Sequence, residues 1–218
     1  MEKGKISSFN RFAHTYAQYN VIQKKIIKKY LPFVKNRIVD LGCGSEGLCK
    51  YKNFEFYLGI DSSEEMLKRN PCNTIKSDFN KKECYELVKK QKFEQIVSFS
   101  ALQWAESLEF VFKEIKNLKR DYLLAIFTSN TFKSLHEYLG IDSPICSEDE
   151  VLKACEILKP KDIEKLYYEM SFSSPKELLE YIKYSGVSGN VKTNVCKLKK
   201  FLKNFPVKHL EFEVIVIK

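Results

Sequence analysis

Arg37-Ile38-Val39-Asp40-Leu41 is a short apolar run that empties into Gly42-Cys43-Gly44-Ser45-Glu46-Gly47. Glycines at such a turn take positive φ and let the backbone pass close to a ligand. A second apolar run, residues 56–61, ends in Asp61, 21 positions after Asp40. An acid at that place accepts hydrogen bonds from both hydroxyls of a ribose. Asp40, Gly42, Gly44 and Asp61 are therefore candidate residues for holding a nucleoside.

The letters Gly42-x-Gly44-x-x-Gly47 also fit a dinucleotide fingerprint, in which a pyrophosphate sits on a helix N-terminus. Asp40 shifts the balance, because an acid aimed into the glycine turn repels a pyrophosphate and suits a cationic amine. S-adenosylmethionine carries an amine and a sulfonium and has no phosphate, and it is the expected cofactor. A glycine-rich strand-to-helix turn with no ligand is the plain competing reading.

The elements that must position these residues alternate. Strands are expected at residues 37–41, 56–61, 74–79, 93–100, 122–128 and 211–217. Amphipathic helices are expected at 83–90 and 108–118, the latter with Leu108, Val111, Phe112, Ile115 and Leu118 on one face. Ser62-Ser63-Glu64-Glu65 has helix-capping logic, and Ser174-Pro175-Lys176-Glu177 marks another helix start. Helices are also expected over 7–31, 130–140, 148–158 and 161–168, and in part over 191–205. Strand–helix alternation predicts an α/β fold with a doubly wound, Rossmann-like, mostly parallel sheet. One domain is expected: N-terminal helices over 1–35, a cofactor-binding core over 36–128, a helical cap insertion over 129–208 and a final strand over 209–218.

With these residues in place, the chain resembles the class I methyltransferase family over about residues 36–128. Asp40-x-Gly42-x-Gly44 is similar to that family's first motif, and Gly59-Ile60-Asp61-Ser62-Ser63-x-x-Met66-Leu67 to its second. Ser77-Asp78-Phe79 resembles the segment flanking the adenine. The resemblance implies Ser62 and Met66 beside Asp61, Asp78 near the exocyclic amine and Phe79 near the ring. It departs at Glu46, which stands where the third glycine belongs, with Gly47 one step later. A second departure is Lys119-Arg120-Asp121, where relatives carry Pro-Gly-Gly.

Phe9-Asn10-Arg11-Phe12-Ala13-x-x-Tyr16, Ser98-Phe99-Ser100-Ala101-Leu102-Gln103-Trp104 and the segment from Phe127 to Glu137 resemble one branch, the malonyl-acyl-carrier-protein O-methyltransferases. That branch implies Ser98 at the cofactor and Tyr16, Gln103 and Trp104 around the reacting groups. Its partner is an acidic acyl carrier protein carrying malonyl, or malonyl-coenzyme A. A malonyl carboxylate is ionised near pH 7, so its methylation needs alignment and a dry pocket rather than a base. Tyr16 and Trp104 also suit core packing. Arg11 and His14 are candidates for the substrate carboxylate, and either also suits the surface. Other acceptors stay open: a quinone precursor, an organic acid or RNA. A non-catalytic subunit keeping the fold is a further alternative.

The 218 residues carry a formal net charge of +9. The carboxyl-terminal stretch 131–218 holds 14 basic and 13 acidic residues, so the excess lies in the first part of the chain. Lys24, Lys25, Lys28 and Lys29 line one side of the expected first helix, and Lys24 and Lys28 are the candidates for steering an acidic partner. A solvated helix face explains the same lysines. Nucleic acid and membrane partners are not expected.

Seven cysteines without a CxxC pair suggest scattered free thiols rather than a disulfide framework, and Cys43 a packing role. His136 and His209 have no companions at metal-ligand spacing, so no metal site is expected. No run approaches the roughly 20 apolar residues of a membrane span. A cytoplasmic location is expected.

Overall fold

The computed structural model describes residues 18–185 and 195–218, together with His14. Arg11 and Tyr16 lie outside the described residues, as do Phe9, Phe12 and Gly186.

The strands are β1 (Arg37–Leu41), β2 (Phe56–Asp61), β3 (Thr74–Lys76), β4 (Gln95–Phe99), β5 (Asp121–Phe127), β6 (Ile163–Ser171) and β7 (His209–Ile217). The helices are α1 (Val21–Tyr30), α2 (Glu64–Leu67), α3 (Lys82–Lys89), α4 (Leu108–Asn117), α5 (Lys133–Leu139), α6 (Glu148–Leu158), α7 (Pro175–Tyr184) and α8 (Val195–Asn204). The described residues form one sheet in the order β3-β2-β1-β4-β5-β7-β6. The first five strands pair in parallel, and β7 runs antiparallel to both β5 and β6. This is the Rossmann-like α/β sheet that the alternation predicts.

Strands covered on both faces read as continuous apolar runs. Alternation along β1 then decides what lies where. Val39 and Leu41 join the layer under α3, α4 and α6, with Val88, Phe112 and Val151. Ile38 faces the other layer, where Ile22, Ile26 and Tyr30 of α1 pack with Leu178 of α7 and Phe201 of α8. Asp40 shares the Ile38 face by the same period of two. The acid at the end of β1 therefore comes up on the side that α1 covers.

The segment 161–168, expected as helix, is strand from Ile163 onward. Its burial alternates rather than following a helical stripe, with Leu166 the one buried position. It pairs along all of β7, from Ile163↔Ile217 to Ser171↔His209. That pairing outweighs the helix-like spacing of Ile163, Leu166, Tyr167 and Met170, as tertiary context commonly does. The third strand is also shorter than the expected 74–79, because Asp78 closes an Asx turn onto the Asn80 amide at 2.9 Å.

The cysteines are corrected as well. Cys49 and Cys72 form a disulfide, while Cys43, Cys84, Cys146, Cys155 and Cys196 are free. Separated by 23 positions, the pair is brought together because the loops after β1 and before β3 meet beside Gly47. Among the described residues no helix is long and apolar enough to cross a membrane.

Candidate functional site

The glycine loop leaves β1 and is tied at once to β2. The Gly42 and Cys43 amides both donate to the Ile60 carbonyl, at 2.7 and 3.1 Å. Gly42 has φ +73°, and a Cβ there would run into the Cβ of Ala101 and approach Phe79 Cε1 at 3.8 Å. The loop, the turn after β4 and the Phe79 ring thus close together only because position 42 has no side chain.

Asp61 organises the next step. Its Oδ2 accepts from the Gly44 amide at 3.0 Å and its Oδ1 from the Ser63 amide at 2.8 Å. The two carboxylate oxygens have more lone pairs than the backbone amides use, so Asp61 can still accept from a ribose hydroxyl. Ser63 caps α2 by accepting from the Met66 amide at 3.2 Å, which buries the Met66 side chain nearby. Ser62 lies half-buried between Asp61 and this cap. Asp78 and Phe79 follow β3, both half-buried, and the Phe79 carbonyl accepts from Tyr85 Oη at 2.8 Å.

Asp40 is 3% exposed, and its Oδ2 accepts from Tyr57 Oη at 2.8 Å. Burial pushes the Asp40 carboxyl up to about 7, the neighbouring Asp61 charge adds to this, and the Tyr57 bond opposes it. Burial raises Asp61 too, against the amides of Ser63, Gly44 and Ser62. The Cys43 thiol lies well above its ordinary value through burial, with Asp40 and Asp61 adding to the shift, so it is inert at neutral pH. Asp40 lines the cleft, and Asp61 lies against its Gly44 wall; two buried acids so placed favour a cation as the ligand.

The cleft is lined by Asp40 and the glycine loop on one side, and by Asn20, Gln23 and Ile27 of the α1 segment on the other. Phe99 and Ser100 close it at the end of β4, and the space is about 480 Å³ counting its open mouth. Asn20 Oδ1, Gln23 Oε1, Ser45 Oγ and Ser100 Oγ are buried here without a hydrogen-bond partner among the described residues. Each such atom costs about 1–3 kcal/mol if nothing fills it. An acid, orphaned acceptors and hydroxyls around the glycine loop, with Asp61 bonded to Gly44 and the Phe79 ring against Gly42, fit a nucleoside that ends in an amine. The donor set fits S-adenosylmethionine.

Not every expected residue faces this space. Ser98 is fully buried, and its hydroxyl donates to the Leu41 carbonyl at 2.7 Å, linking β4 to β1. Ser100 lines the cleft instead, at φ +65°. Gln103 is buried and donates from Nε2 to the Ser100 carbonyl at 2.7 Å, while its Oε1 has no partner among the described residues. Trp104 is half-buried against the α1-side core. Lys24 pairs with Glu46 at 3.4 Å while its side chain stays one-third exposed, and Lys28 is exposed. Lys29 pairs with Glu164 at 2.6 Å.

Asn20, Gln23 and Ser100 line the cleft, and Tyr57 and Asn70 brace it, with no local sequence signal marking any of them; Glu46, marked in the sequence only as a departure from the glycine pattern, lines it too. Asn70 braces the loop by donating from Nδ2 to the Gly44 carbonyl at 2.7 Å and accepting from the Cys72 amide at 2.9 Å. Gly47 fits because a Cβ there would collide with Cys72 Sγ and Asn70 Oδ1. Its role is loop closure against the disulfide.

Residues 39–122 match the methyltransferase domain family. The malonyl-[acyl-carrier protein] O-methyltransferase of Acinetobacter baylyi is 26% identical over 208 residues, covering 85% of this chain and 78% of that protein. The ubiquinone biosynthesis O-methyltransferase of Pelagibacter ubique is 27% identical over 220 residues, covering 91% of this chain and 88% of that protein. In fold, the chain is similar to the crystal structure of a SAM-dependent methyltransferase from Archaeoglobus fulgidus. The TM-score is 0.54 at 16% identity, over 91% of this chain and 93% of that one.

Proposed function

We propose that the chain is an S-adenosylmethionine-dependent methyltransferase whose acceptor is the free carboxylate of a malonyl group carried by an acyl carrier protein or by coenzyme A, a reading supported by the methyltransferase-domain match over residues 39–122. The observation that carries this is the likeness to the A. baylyi protein. It spans 85% of the chain and so reaches well beyond residues 39–122 into the flanking segments.

When bound, S-adenosylmethionine supplies a methyl group on a positively charged sulfur. Asp61, with Ser62 and Met66 beside it, holds the ribose end. Asp78 and Phe79 take the adenine, and Asp40, Gly42 and Gly44 border the amine. Ser98 supports this arrangement from inside the sheet. The acceptor carboxylate is already ionised near neutral pH, so no side chain has to remove a proton. What remains for the protein is alignment and exclusion of water.

Gln103 and Trp104 stand at the carboxyl end of β4, where open α/β sheets receive their ligands. Because Gln103 Nε2 is tied to Ser100, its free end is an acceptor. It suits an N–H donor, such as an amide of the thioester arm, better than the carboxylate itself. Arg11 and Tyr16, outside the described residues, are proposed for the carboxylate and the methyl-transfer pocket. Lys28, with exposed Lys25 beside it, offers cations to an acidic carrier protein.

A phenolic quinone precursor is the second reading, favoured by the P. ubique relative. Incubation with labelled S-adenosylmethionine and malonyl carrier protein, malonyl-coenzyme A or a catechol, read by mass spectrometry, separates them. A methyl ester on a malonyl substrate is expected. Methylation of the catechol alone overturns the malonyl assignment.

A further inference from the structure

Asn20 immediately precedes α1, where an asparagine side chain ordinarily caps the helix by accepting from its first amides. Here it makes no capping bond. Its Nδ2 instead donates to Glu46 Oε2 at 2.7 Å, across the mouth of the cleft. A carboxylate only accepts, so this bond fixes the amide orientation and leaves Asn20 Oδ1 as the free end. Asn20 lines the cleft, as does Gln23 one turn into α1. Both residues are 4% exposed, and neither Asn20 Oδ1 nor Gln23 Oε1 has a partner among the described residues.

Glu46 occupies the place that would otherwise be a third glycine. Gly47 takes the positive φ of +61°, which leaves position 46 free to carry a side chain. The Glu46 side chain is 16% exposed and flanked by Lys24 at 3.4 Å and Lys50 at 3.7 Å. Two cations offset its charge, so it adds little to the acids on the cleft floor.

We propose that Glu46 is a positioning residue that holds Asn20 and the first turn of α1 over the cleft, so that the amide oxygens of Asn20 and Gln23 receive the ammonium group of the cofactor's amino-acid end. The glycine-to-glutamate change is then a device rather than a blemish: it ties the covering helix to the loop under the cofactor. Asp40 supplies an acid below the ammonium, and the two amides supply neutral acceptors above it.

The test compares two ligands by calorimetry: S-adenosylhomocysteine, which keeps the amino-acid end, and methylthioadenosine, which lacks it. Asn20→Ala, Gln23→Ala and Glu46→Ala should each weaken S-adenosylhomocysteine by about 10–150-fold, the range for a hydrogen bond to a charged group. Each should leave methylthioadenosine within about twofold. Glu46→Gln keeps an acceptor for Asn20 Nδ2 and should retain most of the affinity. Wild-type binding of S-adenosylhomocysteine establishes the cofactor site independently. Given that binding, equal losses on both ligands, or no loss on either, overturns the proposal.

Discussion

Tyr57 Oη donates to Asp40 Oδ2 at 2.8 Å from the neighbouring strand, on the buried side of the cleft. The bond stabilises the ionised carboxylate but does not outweigh burial, and Asp40 titrates at about 7. An arriving ammonium lowers that value, so binding is coupled to loss of a proton. Affinity for S-adenosylhomocysteine should rise from about pH 6 to about pH 8, with proton release on binding near the middle of this range. Calorimetry in two buffers of different ionisation enthalpy reads the sign. Proton uptake, or a pH profile unchanged in Asp40→Asn, would remove Asp40 from the amine site.

The same shift acts on stability with a definite sign. The unfolded Asp40 titrates near 3.8 and the folded one at about 7. The folded state therefore binds the extra proton between these values. Its contribution is complete below about 4 and is lost as pH rises through about 7. Asp40→Asn keeps an oxygen acceptor for Tyr57 and removes the buried charge. Ligand-free protein carrying it should gain about 1–3 kcal/mol at about pH 8 and nothing near pH 4. Equal midpoints of thermal unfolding at both pH values would contradict this.

Asp61 is tied to backbone on both oxygens, through Gly44 and Ser63. Asp61→Asn puts an amide N–H against one of these donors and removes the charge at the ribose hydroxyls. Binding should fall by roughly 10–100-fold. Unlike the changes at Asn20 and Glu46, the loss should be the same for S-adenosylhomocysteine and methylthioadenosine, since both carry the ribose. Affinity equal to wild type for either ligand would place the ribose elsewhere.

The Cys49–Cys72 pair closes a loop of 23 positions that contains Gly59 and Asp61. Cys72→Ser should lower stability by about 2–4 kcal/mol on loop-closure grounds. Cofactor affinity should also fall a few-fold, because the Cys72 amide holds Asn70, which in turn holds the Gly44 carbonyl. Thiol titration of the denatured chain should count five groups before reduction and seven after. Seven thiols without reduction would show the pair open.

The central strands and the cradle were legible because their signals are local. β1 and β2 are buried apolar runs, each ending in an acid, and the glycines announce the turn between them. The final strand was legible for the same reason. What escaped depends on partners distant in sequence. β6 is an edge strand whose charged, half-exposed residues take their conformation from β7. Glu46 looked like a failed glycine because its partner Asn20 lies 26 positions away. The resemblance implies Ser98 at the cofactor, but the sheet consumes its hydroxyl, and Ser100, one step past β4, lines the cleft instead. Lys24 belonged to a lysine stripe by spacing, yet the neighbouring loop supplies an acid that pairs with it.

Ser100 sits at φ +65°, a region that glycine adopts readily and serine at a cost of about 1–2 kcal/mol. The strain is held from both sides. The Ser100 amide donates to the Ala125 carbonyl at 2.8 Å, and its carbonyl accepts from Gln103 Nε2 at 2.7 Å. Its hydroxyl is buried at the cleft with no partner among the described residues. A glycine would relieve the backbone and leave both main-chain bonds in place, so what the serine adds at this position is its hydroxyl. Ser100→Gly should therefore unfold at a higher temperature than wild type, by about 1 kcal/mol of added stability. It should also bind S-adenosylhomocysteine less tightly and transfer methyl more slowly, by roughly 5–10-fold for one neutral hydrogen bond. A variant both more stable and fully active would mean that the hydroxyl touches neither cofactor nor acceptor, and that the kink alone sets the position of Gln103 and Trp104.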